Sequence, residues 1–188
     1  SEVYDLFNTY DGIDRMVDWL EQDLAQNDRL FTIAYFHQPP YSKGSHDSDG
    51  WLELVMKAMR ERVVPALEAF DVDLVICGHS HNFERSHLIH GHYGGSGSFN
   101  AAQMMNAGGG NFDAGSPYVK DTLAGTPDGT VYVVCGNSAS VDGGAELNHP
   151  IMAYSDGGSA ALGSFVIDID GHRLDGRYLR SDGSVADH

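Results

Sequence analysis

Ten histidines stand in this 188-residue chain, at positions 37, 46, 79, 81, 87, 90, 92, 149, 172 and 188. Three of them sit where an apolar run ends. His37 follows RLFTIAYF, and His79 and His81 follow DVDLVICG. Ligands of open α/β sheets bind beyond the carboxyl ends of strands, so these three are well placed for a site. His79 and His81 are two apart, so in extended backbone both rings point the same way. Gly78 allows a tight turn just before them. Imidazole suits zinc, iron and similar transition metals. The pattern therefore predicts a metal site fed by two neighbouring strands. A lone H-x-H is also a frequent surface-loop pattern, so the surrounding sequence must decide between the two.

The elements that carry these residues read in chain order. Ile13, Met16, Val17, Leu20 and Leu24 recur at helical spacing and predict a helix over 11–27, with Asp11 as its N-cap. RLFTIAYF, 29–36, is short, β-branched and aromatic, and predicts a buried strand. HQPPYSKGSHDSDG, 37–50, is a loop. A second helix carries Leu52, Val55, Met56, Met59 and Val63 on one face. Pro65 predicts a break near Val63–Val64 and a short helix to Phe70. Further strands are predicted at 71–78, near Ser86–Ile89, and at 130–136, 161–169 and 173–180. Asp170-Gly171 is a hairpin signal between the last two. Residues 91–129 form a long connection rich in Gly, Ser and Asn, of a length usually tied to function or mobility. The order is α/β layering followed by an antiparallel tail.

Composition narrows the function classes. Hydrophobic residues make up 41%, enough for a packed core. Asp and Glu total 27 against 11 Lys and Arg, a formal net charge of −16. A nucleic-acid backbone calls for clustered Lys and Arg, and no such cluster occurs, so no nucleic-acid backbone binding is expected. No run of 18 apolar residues exists, so no membrane span is expected. Cys77 and Cys135 each lie inside an apolar run and read as free buried thiols. His87, His90 and His92 are expected at exposed loop or strand positions, and His149, His172 and His188 at the surface.

The nine residues GHSHNFERS, 78–86, resemble the G-H-x-H-x-[FY]-E-R-S motif of the calcineurin-like metallophosphoesterases, in their purple acid phosphatase-like branch. FHQPPYSKGSHDSD, 36–49, is similar to the family segment that carries another metal-binding His. DWLEQDLAQ, VYVVCGNS and GSFVIDIDGHRLDGRYL resemble its other parts, in the same order. The resemblance implies an α/β fold with mixed sheets, built as a four-layer α/β/β/α sandwich. It also implies a dinuclear site of transition metals (Zn, Mn or Fe) whose bridging hydroxide attacks phosphorus in a phosphate-ester substrate. Carried over by motif, His37 and His79 bind one metal and His81 the other. His46 reaches the phosphate or leaving group as a catalytic and substrate-binding donor, and Tyr41 lines the same pocket. Glu84 and Arg85 hold the loop through hydrogen bonds. A secreted or periplasmic location is implied by the resemblance alone.

Other family motifs are missing. No Gly-Asp dipeptide occurs, so the G-D-x-x-D motif of the bridging carboxylate is absent, and no G-N-H occurs. The one D-x-H, Asp170-Gly171-His172, falls in the predicted hairpin turn. Residues 1–188 are therefore expected to be the C-terminal half of a metallophosphoesterase domain, lacking its N-terminal metal-binding motifs. Alone, such a piece is expected to be inactive or very weak, and to self-associate through strand edges that the N-terminal half would cover. The alternative is a non-catalytic binding or scaffold module that keeps the fold but not the full site. Other H-x-H enzymes fit poorly. The metallo-β-lactamase pattern wants H-x-H-x-D-H where this chain reads HSHNFE, and the amidohydrolase barrel needs a longer chain.

Overall fold

In the computed structural model, residues 6–111, 114–121, 128–142, 146–156 and 161–188 are described. Helix α1 (Leu6–Leu24) leads into strand β1 (Ile33–Phe36). Helices α2 (Leu54–Ala58) and α3 (Val64–Ala69) follow, and then β2 (Leu74–Cys77) and β3 (Phe83–Ser86). After two short 3-10 turns come β4 (Val131–Cys135), β5 (Met152–Asp156), β6 (Gly163–Asp170), β7 (Arg173–Arg180) and β8 (Val185–Asp187). The first five strands form one mixed sheet in the order β1-β2-β4-β3-β5, and the last three form an antiparallel sheet β6-β7-β8. β1, β2 and β4 run parallel, and β3 runs antiparallel to β4 and β5. Described residues thus make three of the four expected layers: helices, first sheet and second sheet.

Alternation along the strands explains the layering. Val75, Cys77, Ala34, Phe36 and Tyr132 pack with Ile13, Val63, Val64 and Leu67 of the helices. Their neighbours Leu74, Ile76, Ile33, Val131 and Val133 pack instead with Phe165, Ile167, Leu174 and Tyr178 of the second sheet. Such strands are apolar on both faces, which is why they read as continuous apolar runs. Phe83 stacks on Tyr178 with ring centroids 4.0 Å apart, joining the two sheets. Each fully buried side chain of this kind stabilises the fold by about 1.5–3 kcal/mol.

Several expectations are revised. α1 begins at Leu6, so Asp11 lies inside it and caps nothing; Tyr10 donates to Glu61 Oε2 at 3.0 Å, a tertiary contact that favours the extra turn. The expected short helix is present as α3 (Val64–Ala69), but Pro65 does not interrupt the helical run before it. A π turn at Met59–Val63 joins α2 to α3 and absorbs the bond that Pro65, with no N–H, cannot make. The strand expected near Ser86–Ile89 lies at Phe83–Ser86, and the short strands β5 and β8 were not foreseen. The hairpin turn occupies Gly171 and His172, with Asp170 opposite Arg173 and Gly171 at φ +57°. Both cysteines are free. His92 and His149 are 0% and 2% exposed, so neither is a surface residue. His87 and His90 are half-buried, and His172 is exposed as expected.

Candidate metal centre

β1 and β2 are adjacent and parallel, so their carboxyl ends open at the same edge. Past that edge the ladder continues by one bond, from Gly78 N to His37 O at 3.1 Å. This bond sets the His37 loop beside the GHSH loop. The next residue, His79, has φ +63°. A left-handed non-glycine residue is uncommon, and such strain gathers at functional sites. The turn expected at Gly78 is therefore made by His79. It aims His79 and His81 at different partners, where extended backbone would have pointed both rings alike.

Loop 37–50 is held from several directions. Arg60, buried on the π turn, donates from Nη1 to Pro40 O at 3.2 Å and Ser48 O at 3.0 Å. Glu84, fully buried on β3, accepts from Ser42 Oγ at 2.6 Å, Lys43 N at 3.1 Å and Asn82 Nδ2 at 3.0 Å. Burial pushes the Glu84 carboxyl above its ordinary range, against the pull of those donors. Ser80 Oγ accepts from His46 N at 3.1 Å and donates to His46 O at 2.9 Å, which pins His46 to the GHSH loop. Two glycines permit the close approach. A Cβ on Gly44 would fall 1.9 Å from Asn82 Oδ1, and one on Gly136 would fall 2.0 Å from Ser80 O. Arg85, by contrast, makes a bidentate pair with Asp187 of β8, at 2.6 and 2.8 Å, and joins the two sheets.

The histidines converge on this frame. His79 Nδ1 lies 3.3 Å from His37 Nε2. Two nitrogens, each about 2.05 Å from one tetrahedral ion, would be roughly 3.3 Å apart, so this pair fits a shared ion. The His46 ring lies 3.8 Å from the His79 ring, centroid to centroid. His46 Nδ1 is 2.7 Å from Glu53 Oε1, and His79 Nε2 is 3.7 Å from Glu53 Oε2. His81 stands apart from these, with Nδ1 2.9 Å from Asp142 Oδ2. Burial, then His46 and His37, push the His79 imidazole below its ordinary pKa, against the pull of Glu53. A neutral imidazole is the form that binds metal, so the donor set suits a transition-metal ion.

Tyr41 is not brought to this surface. It is fully buried, its hydroxyl donates to His92 O, and it packs on His92, Tyr132 and His149. Its place is under the loop and not along a pocket. Two carboxylates, Glu53 and Asp142, escaped the sequence reading. Neither belongs to a motif, and each reaches its histidine only through a loop: Glu53 from the start of α2, Asp142 from the segment after β4.

Residues 2–83 match the family described as calcineurin-like phosphoesterase. Purple acid phosphatase 18 of Arabidopsis thaliana is 33% identical over 87 residues, 44% of this chain and 18% of that protein. An uncharacterized protein of Mycobacterium tuberculosis is 31% identical over 80 residues, 40% of this chain and 14% of that protein. Among solved structures, purple acid phosphatase PPD1 from yellow lupin (Lupinus luteus) seeds superposes with TM-score 0.67 and 25% identity, covering 90% of this chain and 27% of that one. GAP50, the anchor in the inner membrane complex of Plasmodium, shares the fold at TM-score 0.56 and 18% identity, covering 89% of this chain and 38% of that one. The chain is thus similar to the calcineurin-like metallophosphoesterases of the purple acid phosphatase-like branch, in sequence over its first part and in fold over most of its length. It spans 14–18% of the length of the curated relatives it matches.

Proposed function

We propose that residues 1–188 carry one side of a metal-dependent phosphoesterase site acting on a phosphate ester. The observation that carries this reading is the 3.3 Å approach of His37 Nε2 and His79 Nδ1 at the ends of two parallel strands. In this reading His37 and His79 hold one transition-metal ion and His81 holds a second. Such ions, when bound, polarise phosphate oxygens and lower the pKa of water. His46 stands beside His79, pinned by Ser80; with Nδ1–H turned to Glu53, its Nε2 donates to the phosphate or the leaving oxygen when the ring carries both protons. Asp142 stands beside His81, with Oδ2 2.9 Å from Nδ1.

The carboxylates that bridge two ions belong, in the same reading, to a part of the catalytic domain outside residues 1–188. The much greater length of the relatives supports this. The edge of β1, where Tyr35 is 84% exposed, supports self-association of these residues when studied alone. A secreted or periplasmic location goes with the reading. Among the described residues no helix is long and apolar enough to cross a membrane. A scaffold role has one fold neighbour in its favour, the anchor GAP50. It gives no reason for four histidines at one sheet end.

The test is metal analysis and p-nitrophenyl phosphate hydrolysis on the full-length protein and its His79→Ala variant. Metal content and activity are expected to fall together, activity by at least a hundredfold. Unchanged metal content in the variant overturns the assignment.

A further inference from the structure

Glu53 lies in none of the motifs, yet its side chain reaches two of the site histidines. It sits just ahead of α2, where its backbone N–H bonds Gly50 O at 3.0 Å and its carbonyl accepts Lys57 N at 3.1 Å. The carboxylate is therefore delivered from the rigid start of a helix. Oε1 is 2.7 Å from His46 Nδ1, and Oε2 is 3.7 Å from His79 Nε2. The three ligand-type atoms of His46, Glu53 and His79 lie within 4.8 Å of one another, so coordination of a common ion must be weighed first.

Two distances weigh against coordination by Glu53. Donors on one tetrahedral ion with bonds of about 2.0–2.2 Å stand roughly 3.3 Å apart, and the His46–Glu53 separation is a hydrogen bond's length. The other nitrogen of His79, Nδ1, already faces His37 Nε2 at 3.3 Å. A neutral imidazole has one lone pair and one N–H. If the lone pair of His79 faces His37, its N–H is at Nε2, toward Glu53. Likewise an N–H at His46 Nδ1 leaves the lone pair at Nε2. Which ring nitrogen carries the proton is set by the hydrogen bond the other partner offers. Carboxylates behind metal-binding histidines do this commonly, one for each histidine.

We propose that Glu53 is a positioning residue that sets the tautomers of two histidines at once, accepting Nδ1–H of His46 with one oxygen and facing Nε2–H of His79 with the other. The short contact makes the constraint on His46 the stronger. The metal part of this inference rests on the His37–His79 site proposed above; the His46 tautomer does not.

The experiment uses the full-length protein labelled with [15N]histidine and freed of metal by chelation. Imidazole 15N–1H correlations are recorded at neutral pH for the wild type and for Glu53→Gln, Glu53→Leu and Glu53→Ala, with Zn2+ titrations in parallel. Two apolar variants are made so that a folding defect in one leaves the other. His46 is expected as the Nδ1–H tautomer in the wild type and in Glu53→Gln, whose amide oxygen still accepts. It is expected to cross to Nε2–H, the form favoured by an unconstrained side chain, in the Leu and Ala substitutions. Zn2+ affinity is expected to fall ten- to a hundredfold in those two and to recover most of the loss in Glu53→Gln. An unchanged His46 tautomer in the apolar variants overturns the proposal, since a merely structural Glu53 would not move it. Zn2+ binding as weak in Glu53→Gln as in Glu53→Leu also overturns it, because Glu53 would then be a ligand. If His79→Ala keeps its Zn2+ affinity, the metal site fails while the His46 result stands.

Discussion

At the ends of β1 and β2, His79 turns one nitrogen to His37 and the other to Glu53, while His46 pairs with Glu53 and His81 with Asp142. Behind the same loop, His92 and His149 are 0% and 2% exposed and pack on Tyr41. Neither ring nitrogen of His92 has a hydrogen-bond partner among the described residues. The first group is partly open, and each of its rings has a polar neighbour at one nitrogen, His79 at both. The second packs against Tyr41 and Phe99. Burial pushes the His149 imidazole down to about 3, where it is neutral at every physiological pH. One residue type thus stands among polar partners in one region and serves as a flat packing piece in the next. Neighbours decide which: carboxylates in one case, aromatic rings in the other.

The two regions share one frame, and breaking it tests whether they act separately. The largest effect is expected from Glu84→Ala. It strands Lys43 N and Asn82 Nδ2, leaves Ser42 Oγ with Ser80 alone to donate to, and should cost on the order of 3 kcal/mol. Urea unfolding and Zn2+ titration of the full-length protein should fall together; lost stability with intact Zn2+ affinity would mean that the histidine loops do not depend on this carboxylate.

A narrower disturbance comes from Gly136→Ala. The new methyl would meet the Ser80 carbonyl, 2.0 Å from the ideal Cβ position, and only a backbone shift relieves it. About 1–3 kcal/mol of destabilisation is expected, as for overpacking elsewhere. Ser80 lies between His79 and His81, so Zn2+ affinity should drop although no ligand is changed. The Tyr41 cluster should keep its packing, seen as unchanged near-ultraviolet dichroism.

The smallest effect at neutral pH, and the clearest separation of the regions, is expected from His149→Phe. In the folded chain His149 titrates near 3, against an ordinary 6.5 when unfolded. The unfolded chain therefore takes up the proton first as pH falls. Stability from this group is complete above pH 6.5 and is lost toward pH 3, by up to about 1.4 kcal/mol per pH unit. His92, also pushed down by burial, acts in the same sense. His149→Phe should leave stability at pH 7.5 within about 1 kcal/mol of the wild type and flatten its decline between pH 6.5 and 4.5. An unchanged slope would mean that His149 is solvated after all.

Much of this arrangement was legible from spacing. Short apolar runs ending in His37 and in Gly78-His79-Ser80-His81 indicated two neighbouring strands, and β1 and β2 are adjacent, running parallel. The runs 161–169 and 173–180, joined by Asp170-Gly171, indicated the final hairpin. Local signals failed where partners are distant. Asp11 looks like a cap, yet the helix passes through it. Pro65 looks like a break, yet a π turn carries the helix past it. His149 follows a polar stretch and precedes Pro150, which reads as surface, but Ile151 and Tyr41 cover it. Asp142 carries no local signal, because its role exists only when the GHSH loop arrives beside it; Glu53 lies seven residues from His46, but its second neighbour, His79, is brought only by folding.

Residue order alone determined which imidazoles stand at the ends of which strands, because continuous apolar runs and the turn residues after them are local properties of the chain. Only the tertiary structure decided which nitrogen of each histidine faces outward, which histidines are enclosed, and that Tyr41 supports the loop from inside. Those outcomes depend on contacts between segments forty or more residues apart, such as His37 with His79 and Ser42 with Glu84. Ring orientation and protonation follow from these neighbours, and a neighbour brought by folding leaves no trace in the adjacent sequence.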